Sequence, residues 1–192
     1  MKTKYIDSEV IDKILETMPF SDRLIFRIAI ETGMRVGDIV SLKGKNIIGN
    51  KICFTAQKTG KSAQIPISPR LLRDISVKTK KNSWLFPSPK NSLKHITRQC
   101  VWQRVKRACA ASGVDPSGVA PHSFRKFFAV ELFKREGLEA TRCALQHDKA
   151  STTQIYALSD FTSGSNGDLP LLRRDLPYII SEVVSALNLR KL

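Results

Sequence analysis

Acidic residues are in short supply. Seventeen Asp and Glu face 32 Lys and Arg across 192 residues, for a formal net charge of +15 and a sequence pI near 10.0. That imbalance favours polyanionic partners, because each cation set against a phosphate releases condensed counterions. The basic residues run from Lys2 to Lys191 without a lysine-rich tail. This reads as a folded basic surface, with nucleic acid the preferred partner and acidic lipid or protein the competing one. Cysteine is also scarce. Cys53, Cys100, Cys109 and Cys143 include no C-x-x-C pair, which argues against a zinc ribbon or a dithiol redox motif. A disulfide-stapled scaffold would be smaller and richer in cysteine, so reduced thiols in a cytosolic protein are expected. No stretch approaches the ~18 apolar residues of a membrane span. The first residues, Met1 to Asp7, lack the apolar run of a signal peptide. No internal repeat is visible. What is present is ordinary for a folded chain, 42% hydrophobic and 26% charged, and long enough for one domain with a sizeable core.

The hydrophobic periodicity is mainly helical. Ser8 reads as the N-cap of a helix carrying Val10, Ile11, Ile14, Leu15 and Met18, ended by Pro19. Ser21 reads as the cap of a second helix, ended by Gly33, since glycine tolerates a left-handed terminus. A short helical turn covers Val36 to Leu42. The period then changes. Lys51 to Ala56 and Ser62 to Ile67 read as strands around a Lys-Thr-Gly-Lys turn, with Ile47 and Ile48 as a third short strand. Pro69 suits the first position of a helix to Val77. After an irregular stretch at Leu85 to Pro89, a helix is predicted from Leu93 to about Ala111, with Trp102, Val105 and Cys109 on one face. A loop at Ser112 to Gly118 follows. Helices are predicted over His122 to Arg135, Leu138 to Gln146 and Thr152 to Leu158. Ser159 to Asp168 reads as a mobile linker, and an amphipathic helix runs from about Pro177 to Leu189. The expected fold class is α+β, mainly α with one small antiparallel sheet.

Along this map lie Arg35 after a helix, Lys58 at the hairpin tip, His122 and Arg125 three apart at a helix start, His147 after Leu145-Gln146, and Tyr156 nine residues further. Transesterification of a phosphodiester needs a nucleophile, charge stabilisation at the nonbridging oxygens and a proton for the leaving oxygen. A tyrosine phenol supplies the first, but its pKa near ~10 requires a base or a cationic surround. Arginines are always charged and fit two phosphate oxygens at once. The His122-x-x-Arg125 spacing puts both side chains on one helical face, at the positive end of the helix dipole.

The order Arg, Lys, His-x-x-Arg, His, Tyr resembles the tyrosine recombinase (phage integrase) family. Thr32-Gly33-Met34-Arg35 with Asp38 is similar to its first arginine motif, Gln57-Lys58-Thr59-Gly60-Lys61 to its hairpin lysine, and Leu145-Gln146-His147 through Tyr156 to its third motif and nucleophile. The resemblance spans about Ser8 to Leu158. It implies the catalytic-domain fold of that family over residues 1–158, with residues 159–192 as linker and terminal helix. It implies Tyr156 as nucleophile, Arg35 and Arg125 on the phosphate, His122 accepting or hydrogen-bonding the tyrosine proton, Lys58 protonating the 5′-oxygen, and His147 on a nonbridging oxygen. No metal or cofactor is implied. The partner implied is double-stranded DNA, bound by a tetramer of the chain, with a monomer when free; the expected location is the cytoplasm, at the nucleoid. Two positions depart from the family's pattern. Gln146 replaces a usual glycine, which bears on the backbone of that turn, and Lys126 replaces a frequent histidine.

Each residue has a plainer reading: Arg35 as a surface arginine, His122 as a capped helix residue, His147 as a core histidine, Tyr156 as a half-buried tyrosine. Lys61 competes with Lys58, and Asp38 reads as structural. His95, Tyr5 and Tyr178 lie in no motif. Gly60-Lys61-Ser62 imitates the end of a phosphate-binding loop, but position 55 is Thr and strands flank both sides, which argues against an ATPase. The competing functions are a type IB topoisomerase and a DNA-binding accessory protein that keeps the fold without catalysis. Family members usually carry an additional N-terminal helical domain. The chain therefore reads as a minimal recombinase or a fragment, for which weak, salt-sensitive DNA binding is expected. The terminal helix either packs in cis or reaches a neighbouring protomer.

Overall fold

A computed structural model describes residues 3–77 and 80–145. The expected helix over Thr152 to Leu158, the linker and the terminal helix lie outside the described residues. Six helices and two small antiparallel sheets make up the described part.

Helix α1 (Ser8–Glu16) is capped by Asp7, not by Ser8. The Asp7 carboxylate accepts the Val10 N–H at 2.9 Å, and Ser8 is buried in the first turn. Helix α2 (Phe20–Thr32) starts directly after Pro19, which places Ser21 inside the first turn rather than at the cap. Gly33 ends α2 in the left-handed conformation, φ 62°, with its N–H on the Ala29 carbonyl. Helix α3 (Val36–Val40) follows after two residues. A 3₁₀ turn at Gly44–Asn46 leads into the sheet of β1 (Ile47–Ile48), β2 (Lys51–Thr55) and β3 (Ser62–Pro66), with Cys53 opposite Gln64. Helix α4 (Pro69–Ser76) has Pro69 at its first turn and Ser68 as cap. The Ser68 hydroxyl accepts the Leu71 N–H at 3.1 Å and donates to the buried Glu31 carboxylate at 3.0 Å.

The next stretch corrects the sequence reading. Instead of a helix from Leu93, strand β5 (Asn91–His95) pairs with β4 (Pro87–Ser88), and helix α5 (Arg98–Ala111) begins only after Thr97 caps it. Leu93 is 84% exposed, so its apolar side chain marks no core face. Its carbonyl accepts the Trp84 indole N–H at 2.9 Å instead of a helical amide. A second sheet thus joins the single one expected. Trp102 also lies off the expected face: the buried stripe of α5 is Val101, Val105, Ala108 and Cys109, and Trp102 is 40% exposed with Lys106 over its ring.

Helix α6 (Pro121–Ala144) covers the two helices predicted there. The break between them falls at Gly137, φ 78° and ψ −170°, a conformation open essentially to glycine alone. The core is built on α2, which packs against α6 through Phe26 and Phe124, ring centroids 4.4 Å apart. Each such ring contributes about 1.5–3 kcal/mol by burial, enough to fix the start of α6 against the end of α2. No helix among the described residues is long and apolar enough to cross a membrane.

Candidate active site

The backbone first determines where Arg35 stands. Gly33 turns the chain out of α2, and Arg35 is extended (φ −71°, ψ 141°) as the N-cap of α3. Three residues on, Asp38 is buried, and its carboxylate accepts the backbone N–H of Gln57 at 2.9 Å. That bond ties α3 to the β2–β3 turn. The turn itself closes through Ala56 N–H to the Lys61 carbonyl and Gly60 N–H to the Ala56 carbonyl, with Gly60 at φ 67°. Lys58 projects from its tip and is exposed, as is Lys61. Asp38 is therefore a positioning residue for the lysine turn, which its sequence spacing from Arg35 left open. Replacing Asp38 with alanine is expected to cost about 2 kcal/mol of stability, since the bond is to a charged acceptor. Asp38→Asn retains an acceptor oxygen and should restore most of that stability; thermal melts of the two variants check this.

Helix α6 contributes the other pair. Its start is anchored by Ser123, whose hydroxyl accepts the Ala120 N–H at 3.2 Å and donates to the Lys4 carbonyl at 2.8 Å. Arg125 is 5% exposed. Its guanidinium donates to the Gly33 carbonyl and, at 2.9 Å, to the Leu145 carbonyl. It thereby clasps the end of α2 to the end of α6. Arg35, Asp38, Arg125, Gly33 and Leu145 line one crevice.

The His122 ring keeps solvent contact, yet its pKa falls from 6.5 to about 4. Desolvation by the surrounding protein is the first cause, followed by the positive charges of Arg125, Arg35, Lys126 and Lys58. Four cations from three stretches of the chain therefore act on one imidazole, Lys58 of the hairpin among them. The imidazole is neutral at physiological pH and able to accept a proton. NMR titration of the protein without DNA is expected to give a His122 midpoint near 4, identified by its loss in His122→Gln. For stability the sign is negative. As pH falls from about 6.5 towards 4, the unfolded chain takes up a proton that the folded ring refuses, so this residue subtracts stability in that window.

Arg35, Lys58, His122 and Arg125 are thus brought together from three separate elements. His147, Tyr156 and the Gln146 turn lie outside the described residues. Sequence reading missed Lys126 as part of the site: it is buried on α6, one turn beyond His122. That reading also stopped at the lack of a lysine-rich tail, whereas residues 39–114 hold sixteen Lys and Arg and a single acid, Asp74.

The sequence profile of the Phage integrase family matches residues 4–163. Among similar proteins, the tyrosine recombinase XerD of Vibrio vulnificus is 28% identical over 171 residues, covering 80% of this chain and 55% of that protein. The tyrosine recombinase XerA of Pyrococcus furiosus is 30% identical over 164 residues, covering 80% and 56%. The chain spans about half the length of these curated relatives. In three dimensions it is similar to lambda integrase, crystallised as a dimer bound to a COC′ core site, with a TM-score of 0.72 at 18% identity over 88% of this chain and 64% of that one.

Proposed function

Because this chain belongs to the phage integrase family, we propose that it is the catalytic domain of a site-specific tyrosine recombinase, cutting and rejoining duplex DNA through a 3′-phosphotyrosyl bond at Tyr156. The observation that carries this reading is the convergence of Arg35, Lys58 and Arg125 on a neutral His122. A pentavalent phosphorane gathers negative charge on its nonbridging oxygens, and two fixed guanidiniums offset it where it develops. The phenolic oxygen of Tyr156 forms a bond to phosphorus while the bond from phosphorus to the 5′-oxygen breaks. The phenol proton passes to His122, whose low proton affinity in the protein alone rises once the phosphate's negative charge stands beside it. Lys58 delivers a proton to the departing 5′-oxygen, and His147 donates to a nonbridging oxygen. One phosphodiester is exchanged for another, so a second strand's 5′-hydroxyl can reverse the step. The guanidiniums and lysine supply the charge stabilisation that a metal provides in other phosphoryl-transfer sites.

Residues 1–158 form the catalytic unit in this reading, and residues 159–192 a linker and terminal helix. The partners are double-stranded DNA and further copies of the chain, four on a pair of DNA sites, with a monomer when free. The setting is the cytoplasm, at the nucleoid. The related XerD and XerA are tyrosine recombinases by name, and lambda integrase has been crystallised as a tetramer bound to a Holliday junction.

Covalent trapping tests the proposal. The protein is mixed with supercoiled plasmid carrying its native flanking DNA, denatured rapidly in detergent, and the DNA-linked peptide mapped. A 3′-linked adduct on Tyr156, absent in Tyr156→Phe with DNA binding retained, is the expected result. An adduct elsewhere would refute the site, and binding without any adduct would favour an accessory protein.

A further inference from the structure

The cation-rich stretch of the chain is not used up by the catalytic site. The segment after α3 and the segment before β4 run side by side: Leu85 N–H donates to the Leu42 carbonyl at 2.9 Å, Gly44 N–H to the Ser83 carbonyl at 3.1 Å, and Lys45 N–H to the Lys81 carbonyl at 2.6 Å. Lys43 and Trp84 face one another across this ladder, with the Lys43 ammonium 4.2 Å from the centre of the Trp84 ring. The indole also meets β5. Its N–H is bound to the Leu93 carbonyl, and His95 packs edge-on at 5.0 Å between ring centres. One tryptophan thus locks two separate segments into a single platform.

The platform's outward side chains are of one sign. Lys45, Lys80, Lys81, Lys90 and Lys94 are all exposed, and among the described residues none of them pairs with a carboxylate. The one acid between Ile39 and Val114, Asp74, is taken by Arg27. Placing Lys45 beside Lys81 with no counter-charge is unfavourable for the isolated protein, and ordinary surfaces intersperse both signs. A polyanion would supply the missing counter-charge. Both segments also run straight into the candidate site. Lys43 lies just past α3, a helix of five residues and so about 8 Å long. Strand β5 leads within three residues to Arg98, whose Cδ would lie 3.3 Å from a Cβ placed on Gly37, two residues from Arg35.

We propose that this Trp84-locked lysine platform is a second DNA-contact surface, separate from the catalytic cations, that holds the phosphate backbone of the duplex flanking the cut. The proposal rests on the recombinase reading only for its choice of duplex DNA as the polyanion. Lysines fit this work as point charges on phosphates, positioning DNA without reading its sequence.

The test measures binding of the full chain to a random-sequence duplex by fluorescence anisotropy across a salt series. The triple variant Lys45→Ala, Lys81→Ala, Lys94→Ala changes exposed side chains only. The slope of log affinity against log salt should fall by about three, one for each phosphate that is no longer neutralised, and the triple lysine-to-arginine variant should restore it. In a Trp102→Phe background Trp84 is the sole tryptophan, so its emission should change on adding duplex. An unchanged slope in the folded alanine triple, with wild type binding normally, would overturn the platform and leave the recombinase reading intact. A reduced slope with single-stranded RNA but not with duplex DNA would assign the surface to another polyanion and also overturn it. Failure of the wild type to bind duplex at all would sink both readings together.

Discussion

Arg125→Ala is expected to abolish covalent DNA cleavage, by at least ~10³-fold, and to destabilise the fold at the same time. The two effects have different origins. Removing the guanidinium leaves the Gly33 and Leu145 carbonyls without the donor that now serves both. Each buried carbonyl so stranded costs about 1–3 kcal/mol, so a destabilisation of about 4 kcal/mol is expected. In the proposed mechanism the catalytic defect comes from the missing charge at the phosphate. Arg125→Lys separates the two, because an ammonium keeps the charge but cannot span both carbonyls and still present a fork to phosphate. It should recover part of the stability and little of the rate. Thermal melts beside adduct yields on a single duplex substrate check both halves. An alanine variant that melts like the parent would rule out the clasp as a stabilising element, whatever happened to cleavage.

Gly33→Ala is the second large effect. Two penalties add at this position. The backbone is left-handed at φ 62°, which costs an L-residue about 1–2 kcal/mol. The new Cβ would also lie 2.4 Å from Cδ1 and 2.6 Å from Cε1 of Phe128, and 3.1 Å from Cδ2 of Leu145. Phe128 is 2% exposed and cannot swing away, so overpacking adds about 1–3 kcal/mol. A total of about 3 kcal/mol is expected, or a melting shift of about 10 °C for a chain of this size. Relief of the clash must move Gly33, and with it the carbonyl held by Arg125 and the chain leading to Arg35. Cleavage measured well below the melting point should therefore fall further than stability alone explains. A variant with parental melting temperature would refute the close approach.

The parts of this architecture that were legible in the sequence are those dictated by local chemistry. Gly33 marked a helix end because only glycine takes that backbone readily, and the gap between the two helices predicted around Gly137 reappears as the break in α6. The hairpin was readable from its turn residues. The strand at Asn91–His95 was not, because its only apolar residue without aromatic character, Leu93, faces solvent while the partner that defines it, Trp84, comes from a separate segment. Trp102 misled for a related reason: hydrophobicity placed it inside, but its neighbour Val101 holds the buried stripe and Lys106 covers the ring. Asp7 outcompeted Ser8 as a cap, a one-residue difference that the two side chains' similar chemistry cannot resolve. At the site, Arg35, Lys58, His122 and Arg125 were singled out by order along the chain and by resemblance. The tertiary links were invisible to both, above all the reach of Asp38 to Gln57 and of Arg125 to Gly33 and Leu145, which join residues far apart in sequence.

Those last links impose a schedule on biosynthesis. The clasp needs Gly33, Arg125 and Leu145 at once, and their positions in the chain are set by the sequence. At ~5–20 residues per second, Leu145 follows Gly33 out of the ribosome after an interval on the order of 10 s. Throughout that time the Arg125 guanidinium has no fixed place. A nascent chain, however basic, lacks the assembled cluster of Arg35, His122 and Arg125 until the segment that ends at Leu145 has emerged.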